Sequence, residues 1–206
     1  CLPLHHIGGL SVLLRCAWYG TTAQLMERFD APAVAALLDS GSITQVSLVP
    51  SLLTRVLDAR QEAPFPTALR LILVGGAAAD QRLLERGERL ALPLVETWGM
   101  TEAASQIATC ALAADRPGRL APLAFARVNM NGDRLRVCGP LIHGSVTTSD
   151  LGRIEADGGI RVTGRADGAI NRGGEKIHPA EVEAVLCDHP AVAEAVVLGL
   201  PDTRLG

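Results

Sequence analysis

The sequence predicts an α/β protein: layers built on a parallel sheet, then a small β-barrel-like subdomain, then part of a small α+β domain. Three observations carry this. Strand and helix signals alternate through the first two-thirds of the chain. Short alternating strands with Gly-rich turns follow from Ala121. After Gly164-Arg165 a glycine pair and a new helix signal open a third pattern.

The first layer reads as follows. Asp30 is a good N-cap, Pro32 suits a first helical turn, and Ala33 to Leu38 stay apolar until Gly41 stops the helix. Ile43 to Val49 is strand-like and ends at Pro50, and Ser51 to Asp58 is amphipathic. Leu69 to Val74 is an unbroken apolar run bounded by Gly75-Gly76, as in a buried parallel strand. Asp80 to Leu90 reads as a helix and Leu92 to Thr97 as a strand.

In the second pattern, Arg134–Val137 and Ile160–Thr163 alternate in polarity. The turns Asn131-Gly132-Asp133 and Asp157-Gly158-Gly159 mark antiparallel hairpins. The third pattern has a helix with Pro179 early and Glu181 and Glu183 in its first turns, then a strand at Ala193–Leu198. These changes divide the chain into residues 1–165 and 166–206.

Composition narrows the function. The chain has 206 residues and 48% hydrophobic content, enough to bury a core. A net charge of -3 with no basic stripe argues against nucleic acid or anionic membrane as partner. No apolar run reaches the roughly 18 residues of a membrane span. Five cysteines, an odd number without a CxxC or CxH pair, indicate neither a disulfide framework nor a cysteine-based zinc site. No leader is visible, so a cytoplasmic protein is expected. Of 19 Lys+Arg residues all but Lys176 are Arg, so lysine chemistry rests on Lys176 or on residues outside this chain. The chain starts at Cys1 and stops at Gly206 in mid-pattern, which predicts a fragment.

Four segments can carry chemistry. Thr97-Trp98-Gly99-Met100-Thr101-Glu102 ends a strand, where open α/β sheets place ligands. Trp98 offers a face to a purine, Thr101 a hydroxyl to phosphate, and Glu102 a hard oxygen to Mg²⁺. The same residues also fit a core Trp and a helix start. Gly75-Gly76-Ala77-Ala78 lets a planar ligand approach the backbone, or forms a tight turn. Asp150 suits ribose hydroxyls, or a turn. Gly164-Arg165-Ala166-Asp167 and the run Asn171 to Glu183 are dense in charge and glycine, as at a hinge.

Together, and in order, these segments resemble the adenylate-forming acyl-/aryl-CoA synthetase superfamily. Leu2-Pro3-Leu4-His5-His6-Ile7-Gly8-Gly9 is similar to its Pro-Leu-aromatic-His motif, with His5 in the aromatic place. Leu48-Val49-Pro50 and Gly75-Gly76-Ala77 match its next landmarks, and Trp98 to Glu102 matches Tyr-Gly-x-Thr-Glu with Trp for Tyr. The resemblance spans essentially the whole chain. Within the superfamily, the o-succinylbenzoate–CoA ligase branch of menaquinone biosynthesis is most similar. The carriers are His6-Ile7-Gly8-Gly9, Trp18-Tyr19-Gly20, Ser47-Leu48-Val49-Pro50 and Gly99 through Thr109.

The resemblance implies a truncated adenylate-forming ligase fold using ATP, Mg²⁺ and CoA on a small carboxylic acid. It implies that residues 1–165 are the later part of the AMP-binding domain and 166–206 the start of a small mobile domain. Thr101 would hold the α-phosphate and Glu102 the metal. Trp98 with Gly76, Ala77 and Ala78 would bracket adenine, with Glu96 and Thr97 near its amine. Asp150 and Arg165 would hold ribose. His6, Gly99, Met100 and Ser105 would face the acid, Gly99 leaving room for an aromatic one, and His6 would alternatively support the site from outside. Asp167 would be the hinge, carrying Gly174 and Lys176 to the thioester-forming face. His178 reads as structural, and His143 and His189 as surface residues.

Three departures bear on activity. The family's upstream phosphate loop ending in lysine is only echoed, without the lysine, by Gly20-Thr21-Thr22, and no residue matches its C-terminal adenylation lysine. Gly144 to Thr148 is also shorter than the usual passage. Alone, this chain is therefore expected to adenylate weakly or not at all. Another aryl- or fatty-acyl-CoA ligase, or a non-catalytic nucleotide-binding module, stays open, as does assembly of identical chains.

Overall fold

A computed structural model describes residues 1–206 except 61–62, 78, 80, 112–118, 167, 188, 190, 193–194, 203 and 205–206, and except the side chains of 81, 111, 180, 181, 184 and 187. The chain opens with helix α1 (Ile7–Tyr19), which ends on Gly20 in the left-handed conformation. Helix α2 (Ala31–Asp39) starts as the sequence predicts: Asp30 accepts from the Ala33 N–H at 2.9 Å, and Pro32 occupies the first turn.

Strand β1 (Gln45–Leu48), helix α3 (Pro50–Ala59), strand β2 (Leu71–Val74), helix α4 (Gln81–Arg89) and strand β3 (Leu94–Met100) follow. The three strands pair in parallel in the order β1-β2-β3. Leu53, Val56 and Leu57 repeat at helical spacing on α3 and are fully buried. With Val34, Leu38, Leu48, Ile72, Val74, Leu83 and Leu94 they form one core between helices and sheet. Arg60, just past α3, is buried as a cation. It donates to Asp39 Oδ1 at 3.0 Å and to the Ala63 and Pro64 carbonyls, and its guanidinium lies 3.5 Å from the Phe65 ring centroid.

Strand β3 runs further than the sequence suggests, through Trp98 to Met100. The reason is its partner. A short 3-10 helix (Thr101–Ala103) reverses the chain, and β4 (Ser105–Ala111) returns antiparallel along β3 from Met100↔Ser105 to Val95↔Ala111. The reversal places Ala104 at φ 53° and Ser105 at φ 103°. Strand β5 (Ala121–Pro122) completes this sheet.

A second sheet contains β6 (Arg127–Asn131), β7 (Arg134–Cys138), β8 (Ser145–Ile154) and β9 (Ile160–Arg165), all antiparallel and in chain order. Both predicted turns are present, joining β6 to β7 and β8 to β9. The sheet stays open: no closed barrel forms among the described residues. Its inner face (Leu135, Val137, Ile160) packs with Trp98, Ile107, Ala108 and Cys110 in a second core.

The hairpin β10 (Ile170–Arg172) and β11 (Glu175–Ile177) precedes helix α5 (Pro179–Cys187). The strand expected at Ala193–Leu198 does not form: residues 195–198 are irregular, and 193–194 lie outside the described residues. Its valines and alanines suit a strand, but the Val197 N–H donates to Glu183 Oε1 at 2.9 Å instead of to a neighbouring strand.

Candidate functional site

The carboxyl ends of β1, β2 and β3 point the same way because the strands are parallel. Val49, Gly75-Gly76 and the end of β3 therefore share one edge, where open α/β sheets bind ligands. Gly75 is required there, since a Cβ would sit 2.5 Å from Thr97 Cγ2 and 2.8 Å from the Thr97 carbonyl. Gly76 follows at φ 81°, exposed at the edge beside half-buried Ala77. Ala78 lies outside the described residues.

Trp98 has two functions. Its ring is 8% exposed within the second core, and its indole Nε1 donates to Asp150 Oδ2 at 3.0 Å. Arg165 donates to Asp150 Oδ1 at 2.9 Å from the neighbouring strand, where Asp150 and Arg165 are cross-strand partners. One carboxylate thus joins the two sheets. Each oxygen accepts one hydrogen bond from the protein, and a carboxylate has about four lone-pair sites, which leaves capacity for the two hydroxyls of a ribose. The donor chemistry fits a nucleoside.

Thr101 and Glu102 are exposed on the 3-10 helix, and Glu102 forms no ion pair among the described residues. A free carboxylate beside a free hydroxyl is a hard-oxygen pair, which fits Mg²⁺ carried on a phosphate. Glu96 and Thr97 lie half-buried along β3. The Thr97 hydroxyl is already occupied: it donates to the Ala108 carbonyl at 3.2 Å and accepts from Gln106 Nε2 at 3.3 Å.

A Cβ on Gly99 would lie 1.7 Å from the Ser105 carbonyl oxygen, at the point where the β3–β4 register shifts, so the missing side chain makes room for the adjacent strand. Met100 and Ser105 face each other across the same turn.

The β10–β11 hairpin sits against this edge. Asn171 Nδ2 donates to the Gly76 carbonyl at 2.8 Å, and Asn171 Oδ1 accepts from the Gly174 N–H at 2.9 Å. Gly174, at φ 97°, abuts Val49: a Cβ would meet Val49 Cγ1 at 2.8 Å. Glu175 Oε1 accepts from His6 Nε2 at 2.9 Å, so the hairpin also reaches the N-terminus of α1. Lys176 is exposed in β11 beside this contact. Asp167 lies outside the described residues.

Sequence reasoning gave no role to Arg15, Gln106, Asn171 or Glu175. Arg15 Nη1 donates to Gln106 Oε1 at 2.5 Å, and Nη2 to Ser11 Oγ at 2.9 Å. Burial pushes its guanidinium down from the ordinary value. Its partners are neutral, a poor match for a half-buried cation. The signal available in the sequence was an arginine amid the apolar run of α1. Asn171 and Glu175 lay within a segment already singled out, but their partners are distant in sequence.

The family model for AMP-binding enzymes matches residues 1–146, and the chain belongs to that family. It is 33% identical to a 2-succinylbenzoate–CoA ligase of Bacillus cereus over all of this chain and 49% of the relative. A Bacillus licheniformis protein of the same name is 37% identical, over all of this chain and 48% of the relative. The chain thus spans about half the length of the curated relatives it matches. Among solved structures it is similar to the o-succinylbenzoate CoA synthetase of Bacillus subtilis. With a double mutant bound to a product analogue the TM-score is 0.93, at 33% identity over all of this chain and 48% of the other. With the same synthetase holding the acyl-adenylate intermediate it is 0.76, at the same identity and coverage.

Proposed function

We propose that the protein carrying this chain is an ATP-dependent, AMP-forming acid–CoA ligase, converting o-succinylbenzoate to its CoA thioester in menaquinone biosynthesis. The observation that carries the nucleotide half is Asp150, gripped by Trp98 at the end of the strand that leads into the exposed Thr101 and Glu102, and by Arg165. The relatives named 2-succinylbenzoate–CoA ligase, and the Bacillus subtilis synthetase complexes with ATP and magnesium, support the substrates.

In this reading the acid's carboxylate attacks the α-phosphorus of ATP and pyrophosphate leaves. The CoA thiol then attacks the acyl carbon and AMP leaves. Mg²⁺, when bound, neutralises charge on the phosphates. The chain's own residues position the reactants. Asp150 and Arg165 hold the ribose, Thr101 the α-phosphate, and Glu102 the metal. Adenine lies over Gly76, Ala77 and Ala78 against the exposed margin of Trp98, near Glu96 and Thr97. His6, Met100, Ser105 and the Gly99 backbone face the acid. Arg15, a cation with no acidic partner among the described residues, suits the second carboxylate of a dicarboxylic acid.

Residues 1–165 would then belong to the nucleotide-binding domain and 166–206 to a small mobile domain, turning at Asp167 and presenting Gly174 and Lys176 to the thioester step. The higher score with the product-analogue complex than with the adenylate complex favours the thioester-forming arrangement for the hairpin position. The cytoplasm supplies both the ATP and the CoA that this reaction draws on. The test is pyrophosphate release by the protein carrying this chain, over a panel of acids. Preference for o-succinylbenzoate supports the reading. Preference for benzoates or fatty acids replaces it with a neighbouring ligase, and no release with any acid replaces it with a nucleotide-binding module.

A further inference from the structure

We propose that His5, His6 and Glu175 form a zinc-class metal site that fastens the β10–β11 hairpin to the start of α1. Among the described residues this is the one group of three metal-ligating side chains, with its ligand atoms all within 4.8 Å of one another. The two imidazole rings stand 4.4 Å apart at 44°. Glu175 already reaches His6 Nε2 at 2.9 Å across 169 residues of sequence.

The chemistry selects the ion. Two imidazole nitrogens and one carboxylate oxygen suit Zn²⁺, whereas Mg²⁺ and Ca²⁺ favour all-oxygen sets. Ligand atoms around a tetrahedral zinc lie about 3.4 Å apart. Pairs as far apart as 4.8 Å must therefore close by about 1.4 Å while the His6–Glu175 pair opens by about 0.5 Å, and the side chains have room to rotate: that of His6 is 46% exposed and that of Glu175 60%. On coordination His6 Nε2 gives its lone pair to the metal and its ring proton resides on Nδ1. Three protein ligands leave the fourth position to water.

His5 is the distinctive member, since it stands where the resembling motif has an aromatic residue. Two ligands come from the residues just before α1 and the third from the hairpin, so the complete set exists only while the hairpin is docked. Bound metal therefore favours the docked arrangement, which Asn171 and Gly174 also hold. This proposal stands on the cluster's geometry.

The test is calorimetric titration of Zn²⁺ into the full chain, beside His5→Phe and Glu175→Gln, with hydrogen exchange of residues 170–177 with and without the metal. Both substitutions are at exposed positions and leave the cores untouched. One saturable site is expected, weakened at least about tenfold by either substitution, with exchange of the hairpin slowed by Zn²⁺ only in the unsubstituted chain. Co²⁺ in place of Zn²⁺ should give no thiolate absorption. Absence of saturable binding, affinity unchanged by either substitution, or a thiolate band placing the metal on cysteine would overturn the site. Binding without slowed exchange would overturn the clamp.

Discussion

The indole of Trp98 and the carboxylate of Asp150, 52 residues apart, meet at 3.0 Å in a buried hydrogen bond that joins the mixed first sheet to the antiparallel second one. An aromatic residue without a ring N–H could pack in the same place but could not hold that oxygen. Trp98→Phe is therefore expected to destabilise the chain by about 1.5–3 kcal/mol, the usual range for a hydrogen bond to a charged group. Nucleotide affinity should fall with it. Urea unfolding and nucleotide titration measure both. Unchanged stability would mean that the indole does not anchor Asp150. Trp18 is 84% exposed, so in a Trp18→Phe background fluorescence reports the buried Trp98 directly.

Gly99→Ala should destabilise more than a substitution at an open glycine. Its Cβ would lie 1.7 Å from the Ser105 carbonyl, so β3 and β4 must separate or the turn must deform. A loss of about 1–3 kcal/mol or more is expected. Gly164→Ala is the comparison, because nothing lies within 4 Å of its Cβ. That change should stay within about 0.5 kcal/mol. Similar melting temperatures for the two would contradict the close approach.

Glu102→Gln separates function from folding. The side chain is exposed and unpaired among the described residues, so stability should change by less than about 0.5 kcal/mol. Mg²⁺-dependent nucleotide binding should fall at least about tenfold, because an amide oxygen is a weaker ligand for a hard cation. Binding measured across a Mg²⁺ series checks this. An unchanged Mg²⁺ dependence would remove Glu102 from the metal site.

Asn171→Ala removes one hydrogen bond to the Gly76 carbonyl and another to the Gly174 N–H. Each contributes on the order of 1 kcal/mol. The hairpin should exchange its amides faster and yield sooner to protease, while β1 to β4 remain protected. Equal loosening of the first sheet would mean that the hairpin is part of the main cooperative unit.

What could be read from the sequence depended on range. Asp30, Pro32 and the run Leu69–Val74 marked their elements because caps and apolar periods are local. Helix α1 gave no such signal: Gly8 and Gly9 have low helix propensity, yet a Cβ on Gly9 would meet the Pro3 carbonyl at 2.2 Å, so the chain needs glycine inside that helix. Strand β4 was missed because its partner supplies the register. The segment from Thr97 to Glu102 showed where a ligand would bind but gave no orientation for Trp98, whose polar partner lies on another sheet. The clustering of His5 and His6 with Glu175 lies beyond any local pattern, since it exists only once the hairpin has docked.

The latch on the first sheet is addressed to a main-chain atom. Asn171 grips the carbonyl of Gly76, and every amino acid carries that group. Mutational drift in the side chain at position 76 cannot erase the acceptor, provided the backbone turn survives. Heritable control over docking is therefore lopsided: one asparagine can gain or lose the contact, and selection acting on that codon can retune the hairpin without touching the nucleotide loop it rests on.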